Sequence, residues 1–237
     1  MRYSLAVDGD PYLARLTELA AAPLGLDLSA THPQFTTTTE HHDFPAAECV
    51  VAVVVRSRSG QLASYVPVRV SPTPGGVEVL APAPELTRDD ASDVQSRSIA
   101  AAMRSGLVGA MSVVFLSDGS TQEFVGPDQA GLWSLDAAHA SVFHNHVRAL
   151  LNLPLGSPEM LAPAAVTVTA SGGSEDDPTG ALQHIHARDR HARVHLHDSE
   201  AGPGLPLGHV TCFGHDVDDL RRRALHAANY LMGVDDR

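Results

Sequence analysis

Two hydrophobic periods alternate along the chain, and the change from one to the other is sharpest between residues 143 and 170. Phe143, Val147, Leu150 and Leu151 recur at helical spacing and should share one apolar face. Pro154 and Gly156 stop that helix, and Ala164 to Ala170 then alternates as a half-buried strand. Nearer the start, Tyr3 to Val7 reads as a short strand and Leu26 to Ser29 as another. Between them Leu13 to Ala22 forms a helix, with Leu13, Leu16, Leu19 and Ala20 on its apolar side. Cys49 to Val55 is a continuous, β-branched run suited to a central strand. Gln61 to Val70 and Gly76 to Leu80 follow as antiparallel partners, with turns at Ser59-Gly60 and Pro74-Gly75-Gly76.

The punctuation of the second half is equally explicit. Thr87 with Asp90 three residues on is a capping-box pattern, and it opens a helix through Val94, Ile99, Ala102 and Met103 that Gly106 closes. Gly109 to Leu116 and Thr121 to Val125 flank Asp118-Gly119, a hairpin signal. Ser171 to Gly180 is a Gly/Ser/Asp-rich loop, Arg193 to His197 a short strand and Gly208 to Phe213 another. Asp216 caps a last helix through Leu220, Leu225, Ala228 and Leu231, closed by Gly233.

Composition narrows the function. The 237 residues carry a net charge of −12, which argues against nucleic acid and anionic membrane as partners, since phosphate binding needs a basic face. No apolar run reaches membrane-spanning length and Met1-Arg2-Tyr3-Ser4 does not begin a signal peptide, so a cytoplasmic protein is expected. Cys49 and Cys212 imply no disulfide framework. All 16 basic residues are arginine, and no Walker-type glycine loop with lysine is present.

The stretch His146-Val147-Arg148-Ala149, followed by Leu153-Pro154-Leu155-Gly156 and Pro163-Ala164-Ala165, closely resembles a segment of 5-(carboxyamino)imidazole ribonucleotide synthase, the ATP-grasp ligase of purine synthesis. Residues 8–30 are similar to the first strand–helix–strand unit of that family, with Asp8 and Asp10 where a glycine-rich turn would admit an anion. The resemblance breaks after Pro33, runs through a polar stretch from Gln34 to Asp43, and resumes at Phe44-Pro45. It implies an α+β, degenerate ATP-grasp fold without the small ATP-binding lobe. The expected organisation is a remnant of the N-terminal domain in residues 1–33, a linker in 34–43, a large-lobe-like domain in 44–157 and a C-terminal β-rich domain in 158–237.

The same resemblance indicates what has been lost. The family places one glutamate on the first strand of a hairpin and an Asn-Glu pair on the second, converging on Mg²⁺ at the ATP phosphates. Here Val114 stands at the first position and Gln122-Glu123 at the pair. An Arg-Pro-His-Asn-Ser-Gly-His-Trp loop corresponds to Gly126 to Trp133, which keeps Pro127, Gly131 and Trp133 but not the polar residues. A Pro-Gly-Arg-Lys-x-Gly-His-Val loop corresponds to Pro203 to Val210, with Leu205 and Pro206 replacing both cations. Arginine is not a simple stand-in for a phosphate-binding lysine. ATP-dependent ligation is therefore not expected, and neither is any cofactor.

What remains points to a repurposed cleft. Glu123, Asp128 and His209 are the candidate catalytic groups, and apolar neighbours would raise the Glu123 pKa toward general acid–base use. Gln122, Leu132, Trp133, Leu205 and Leu207 are the candidate ligand-binding residues, suited to a small, weakly charged metabolite of a specialised pathway. The alternative is a non-catalytic subunit or scaffold related to purine biosynthesis. The resemblance also implies a homodimer. Fourteen histidines include the pairs His184/His186 and His195/His197, each on one face if in strands, and His139/His146 on one helical face. No carboxylate or thiolate stands at a recognised ligand spacing from them, so no metal site is expected. His146 and His209, at family-matched positions, fit structural and catalytic roles alike.

Overall fold

The structure is a computed structural model that describes residues 6–9, 11–24, 36–39, 47–172, 179–196 and 206–234. The expected strand at 26–29 and the residues Leu205 and His197 lie outside the described residues. A small parallel pair, β1 (Ala6–Gly9) with β2 (Thr36–Thr39), precedes the main body, and α1 (Pro11–Ala21) follows β1 directly. β2 falls inside Gln34 to Asp43, the stretch expected to be a linker. Four consecutive threonines carry no alternation, but they are β-branched and find a ladder partner.

The main body is a nine-stranded sheet. Its order is β10 (Arg193–Leu196), β11 (Pro206–Gly214), β9 (Ala164–Ser171), β6 (Gly76–Ala81), β5 (Val68–Thr73), β3 (Cys49–Arg56), β7 (Gly109–Phe115) and β8 (Thr121–Val125), with β4 (Leu62–Ser64) also on β3. Every ladder in it is antiparallel. The β6–β9 ladder carries the sheet across position 157/158, so the large-lobe and C-terminal stretches share one sheet. β9 is buried on both faces, because both are covered; the expectation of a half-buried strand is corrected. The single strand expected from Gln61 to Val70 is two, separated at Tyr65 to Pro67.

The two faces have different covers. One face, carrying Val51, Val53, Val55, Val79, Val114 and Ala165, packs under α1, α4 (Val142–Leu150) and the connection between β8 and α4. The opposite face packs against α2 (Arg88–Ser105) at the β3–β7 end, through Val54, Met111 and Val113. At the other end it packs against α6 (Val217–Leu231), through Leu80, Val166 and Val210.

Local chemistry sets these elements as the residues foretell. Thr87 and Asp90 form the capping box reciprocally, and Gly106 closes α2 at φ 65°. Asp216 caps α6 by accepting from the Asp219 N–H. Leu19, placed on the apolar side of α1, is instead 53% exposed, while Leu13, Leu16 and Ala20 are buried. An 11-residue helix has one stripe to bury, and Leu19 falls outside it.

Candidate functional site

The residues expected to line one cleft are divided between the two faces of the sheet. Glu123 lies directly opposite Val113 in the β7–β8 ladder, and directly opposed residues share a face. Val113 belongs to the α2 side, and Glu123 meets Arg104 of α2 at 3.4 Å. Its side chain is 40% exposed and ion-paired with that arginine. The two line a hollow of about 220 Å³ with Arg97, Phe115 and Thr121. Val114, one residue along, is fully buried on the other face, and Gln122 opposite it is exposed on the edge strand. The hairpin thus presents no converging carboxylates, and its residues do not fit a Mg²⁺ ion bridging nucleotide phosphates.

The Asp128–Trp133 loop is built as core. Asp128 is buried and its Oδ1 accepts the Ala130 N–H at 3.0 Å, capping a 3₁₀ turn over Gln129–Gly131. Leu132 and Trp133 are fully buried, and Trp133 packs edge-on against Tyr65 with ring centres 6.2 Å apart. Both side chains, expected to meet a ligand, lie inside the core in this structure. Leu207, also expected to meet a ligand, is buried in the cluster on the α6 side.

The loop nevertheless positions a residue that sequence reasoning passed over. Ser134 accepts the Val142 N–H at 3.0 Å, which ties the short helix α3 (Ser134–Ala137) to the start of α4. Leu161 N–H donates to the Ala137 carbonyl at 2.8 Å, and Tyr65 Oη donates to the Ala140 carbonyl at 2.8 Å. Asn145 Nδ2 donates in turn to Tyr65 Oη at 2.8 Å. Held from both ends, α3 presents Asp136 beside the β10–β11 end of the sheet.

There the Asp136 carboxylate accepts a hydrogen bond from His195 Nε2 at 2.8 Å. His195 on β10 is the cross-strand partner of His209 on β11, and their rings stack with centres 4.6 Å apart and planes 10° apart. His209 in turn pairs with Thr169 on β9. Nearby on the same two strands, Thr167 and Thr211 share a hydrogen bond of 2.8 Å. His209 is fully buried, whereas the His195 side chain is 33% exposed and that of Asp136 14%. The cluster is a polar floor that opens to solvent on the His195 side.

The other histidines resolve differently. His184 and His186 lie on the helix α5 (Thr179–Arg188), not a strand, so they do not share a face. His184 stacks on Tyr230 at 3.7 Å and meets His226 Nε2 at 3.4 Å. His139 precedes the Ser141 cap of α4, so it shares no helical face with His146. His146 is fully enclosed in the core: its Nδ1 accepts the Ala110 N–H at 2.9 Å, and burial pushes its pKa down to about 4. That environment makes His146 structural. Burial likewise pushes the Cys49 thiol up to about 11 and the Cys212 thiol up to about 12, so both stay protonated and unreactive near neutral pH.

Among the described residues, no helix is long and apolar enough to cross a membrane. No family model matches the chain. It is 34% identical over 189 residues to the N5-carboxyaminoimidazole ribonucleotide synthase of Mycobacterium tuberculosis, a match covering 76% of this chain and 44% of that relative. It is 35% identical over 197 residues to the Mycobacterium leprae protein of the same name, covering 76% and 45%. The chain spans less than half the length of these curated relatives. The crystal structure of N5-carboxyaminoimidazole ribonucleotide synthetase from Thermotoga maritima superposes with a TM-score of 0.66 at 23% identity, over 81% of this chain and 53% of that one.

Proposed function

The chain is a partial homologue of the N5-carboxyaminoimidazole ribonucleotide synthases and shares their ATP-grasp fold, and from that premise we propose that it works without ATP. In this reading it is a cytoplasmic, homodimeric protein that binds or converts a small, weakly charged metabolite at the polar end of the sheet. In the resemblance, the synthases continue after the position of Pro33 with the rest of their N-terminal domain and then the small ATP-binding lobe, where this chain has a short polar stretch. The absence of lysine, the core position of Val114 and the Glu123–Arg104 pair on the far face support the loss of ATP·Mg²⁺. Pro206, in place of a cation near His209, supports a ligand without a phosphate.

The single observation that carries the reading is the Asp136–His195–His209 cluster. A carboxylate orienting an imidazole, with one edge open to solvent, can hold a polar ligand and move a proton to or from it. This reading rests on the polar cluster here rather than on the Glu123 hairpin. A specialised metabolic pathway is the setting we infer, because purine-synthesis ligation itself consumes ATP.

The experiment is a paired titration. A related synthase from Aspergillus clavatus has been crystallised in complex with ADP and 5-aminoimidazole ribonucleotide, which makes that nucleotide and its dephosphorylated nucleoside the natural probes. The reading predicts that the nucleoside binds at least as tightly as the nucleotide, and that His195→Ala weakens it tenfold or more. A nucleotide preference above tenfold, or unchanged affinity in the variant, contradicts it. Light scattering tests the dimer: the expected mass is twice the 25.0 kDa of one chain, and a monomer at micromolar concentration contradicts it.

A further inference from the structure

We propose that Asp136, His195 and His209 together bind a divalent transition-metal ion, with Zn²⁺ the best fit. One donor atom from each of the three lies within 4.8 Å of the others. Four-coordinate Zn²⁺ with nitrogen and oxygen ligands at about 2.0–2.2 Å places those ligands about 3.3–3.6 Å apart. The Asp136–His195 contact of 2.8 Å is shorter than that spacing, and the stacked His195 and His209 rings have to turn out of parallel for both to aim a nitrogen at one ion.

The donor set selects the class of ion. Two imidazoles and one carboxylate suit Zn²⁺ and its neighbours in the transition series, whereas Mg²⁺ and Ca²⁺ take oxygen ligands. Three protein ligands leave a coordination position open, as in zinc sites that activate water or hold a substrate. The side-chain exposure of His195 gives that position access to solvent. The scaffold is also rigid where precision matters: His195 and His209 are fixed by the β10–β11 ladder, and α3 is pinned through Ser134 and Ala137. None of this could be read from spacing, because the carboxylate comes from an element 59 residues before His195.

The inference rests on reading this cluster as the working site, but metal content tests it without reference to any metabolite. Untagged protein is stripped with a chelator, re-dialysed against Zn²⁺ and assayed for metal per chain, and Zn²⁺ is titrated against a chromophoric competitor. One ion per chain is expected, with tenfold or greater weakening in Asp136→Asn and in His195→Ala. Co²⁺ substitution should give the visible absorption of a tetrahedral site, lost in the same variants. His184→Ala, which removes the other close histidine pair, should change nothing. Because His209 is fully buried, circular dichroism must show that His209→Ala folds before its metal content is read; the two other variants suffice if it does not. Less than a tenth of an ion per chain in the wild type overturns the proposal. So does metal that His184→Ala removes and Asp136→Asn retains. Metal binding with an unsuccessful nucleoside titration would leave this site standing and the proposed ligand class refuted.

Discussion

Val114 and Glu123 are near neighbours across one hairpin, yet they face opposite sides of the sheet. Val114 is opposite Gln122 and points into the core under α4; Glu123 is opposite Val113 and points toward α2. A step of one residue decides the side, because side chains alternate with a period of two. In this chain the step separates the Glu123 carboxylate from the polar floor at Asp136, His195 and His209.

Glu123→Gln should therefore be nearly silent. The pair with Arg104 is exposed on both sides, and such pairs contribute about 0–1 kcal/mol. Chemical denaturation should show a stability loss below about 1 kcal/mol. The nucleoside affinity and the metal stoichiometry should match the wild type. A tenfold loss of either would return Glu123 to the site.

His146 should make stability depend on pH. Its pKa is near 4 in the fold, against 6.5 for an unperturbed histidine, so the unfolded chain holds the extra proton between those values. Stability is then complete above about pH 6.5 and falls as pH drops toward 4, by on the order of 3 kcal/mol from this group. Gln in place of His146 retains an acceptor for the Ala110 N–H but no titrating ring. Urea unfolding at pH 7 and pH 4 should show a smaller loss in His146→Gln than in the wild type. Equal losses would contradict the assignment.

Glu78 offers a sharper stability test. Its carboxylate, 1% exposed on β6, is held by Arg221 Nε of α6 at 2.8 Å. Arg221→Ala strands that buried charge; with Arg221 half-exposed, the expected cost is about 1–3 kcal/mol. Adding Glu78→Gln should recover part of it, because a neutral amide tolerates burial better than an unpaired carboxylate. A double variant no more stable than Arg221→Ala would show that the pair contributes by packing alone.

Much of the fold is legible in the residues themselves. Thr87 and Asp90, Asp118-Gly119, Gly106 and the valine run of β3 each impose a local geometry, and the structure keeps all of them. Helix and strand signals fail where tertiary partners decide: the threonines of β2 need β1, and His184 and His186, which would share a face in a strand, lie on a helix. The site is less legible for the same reason. From the sequence, Trp133 and Leu132 are expected to line a cleft, but whether such a loop lines a cavity or fills a core depends on packing. Asp136 gives no signal at all in sequence, since its partners lie on β10 and β11. The histidine excess is the available hint, and it becomes informative only when His195 and His209 stand in register.

Isothermal titration calorimetry with ATP and Mg²⁺ asks whether the ATP-grasp frame persists here without its nucleotide. With protein at concentrations that resolve micromolar binding, the expected result is heat of dilution alone, with or without Mg²⁺. A saturable isotherm with a micromolar dissociation constant and a stoichiometry near one nucleotide per chain would contradict it.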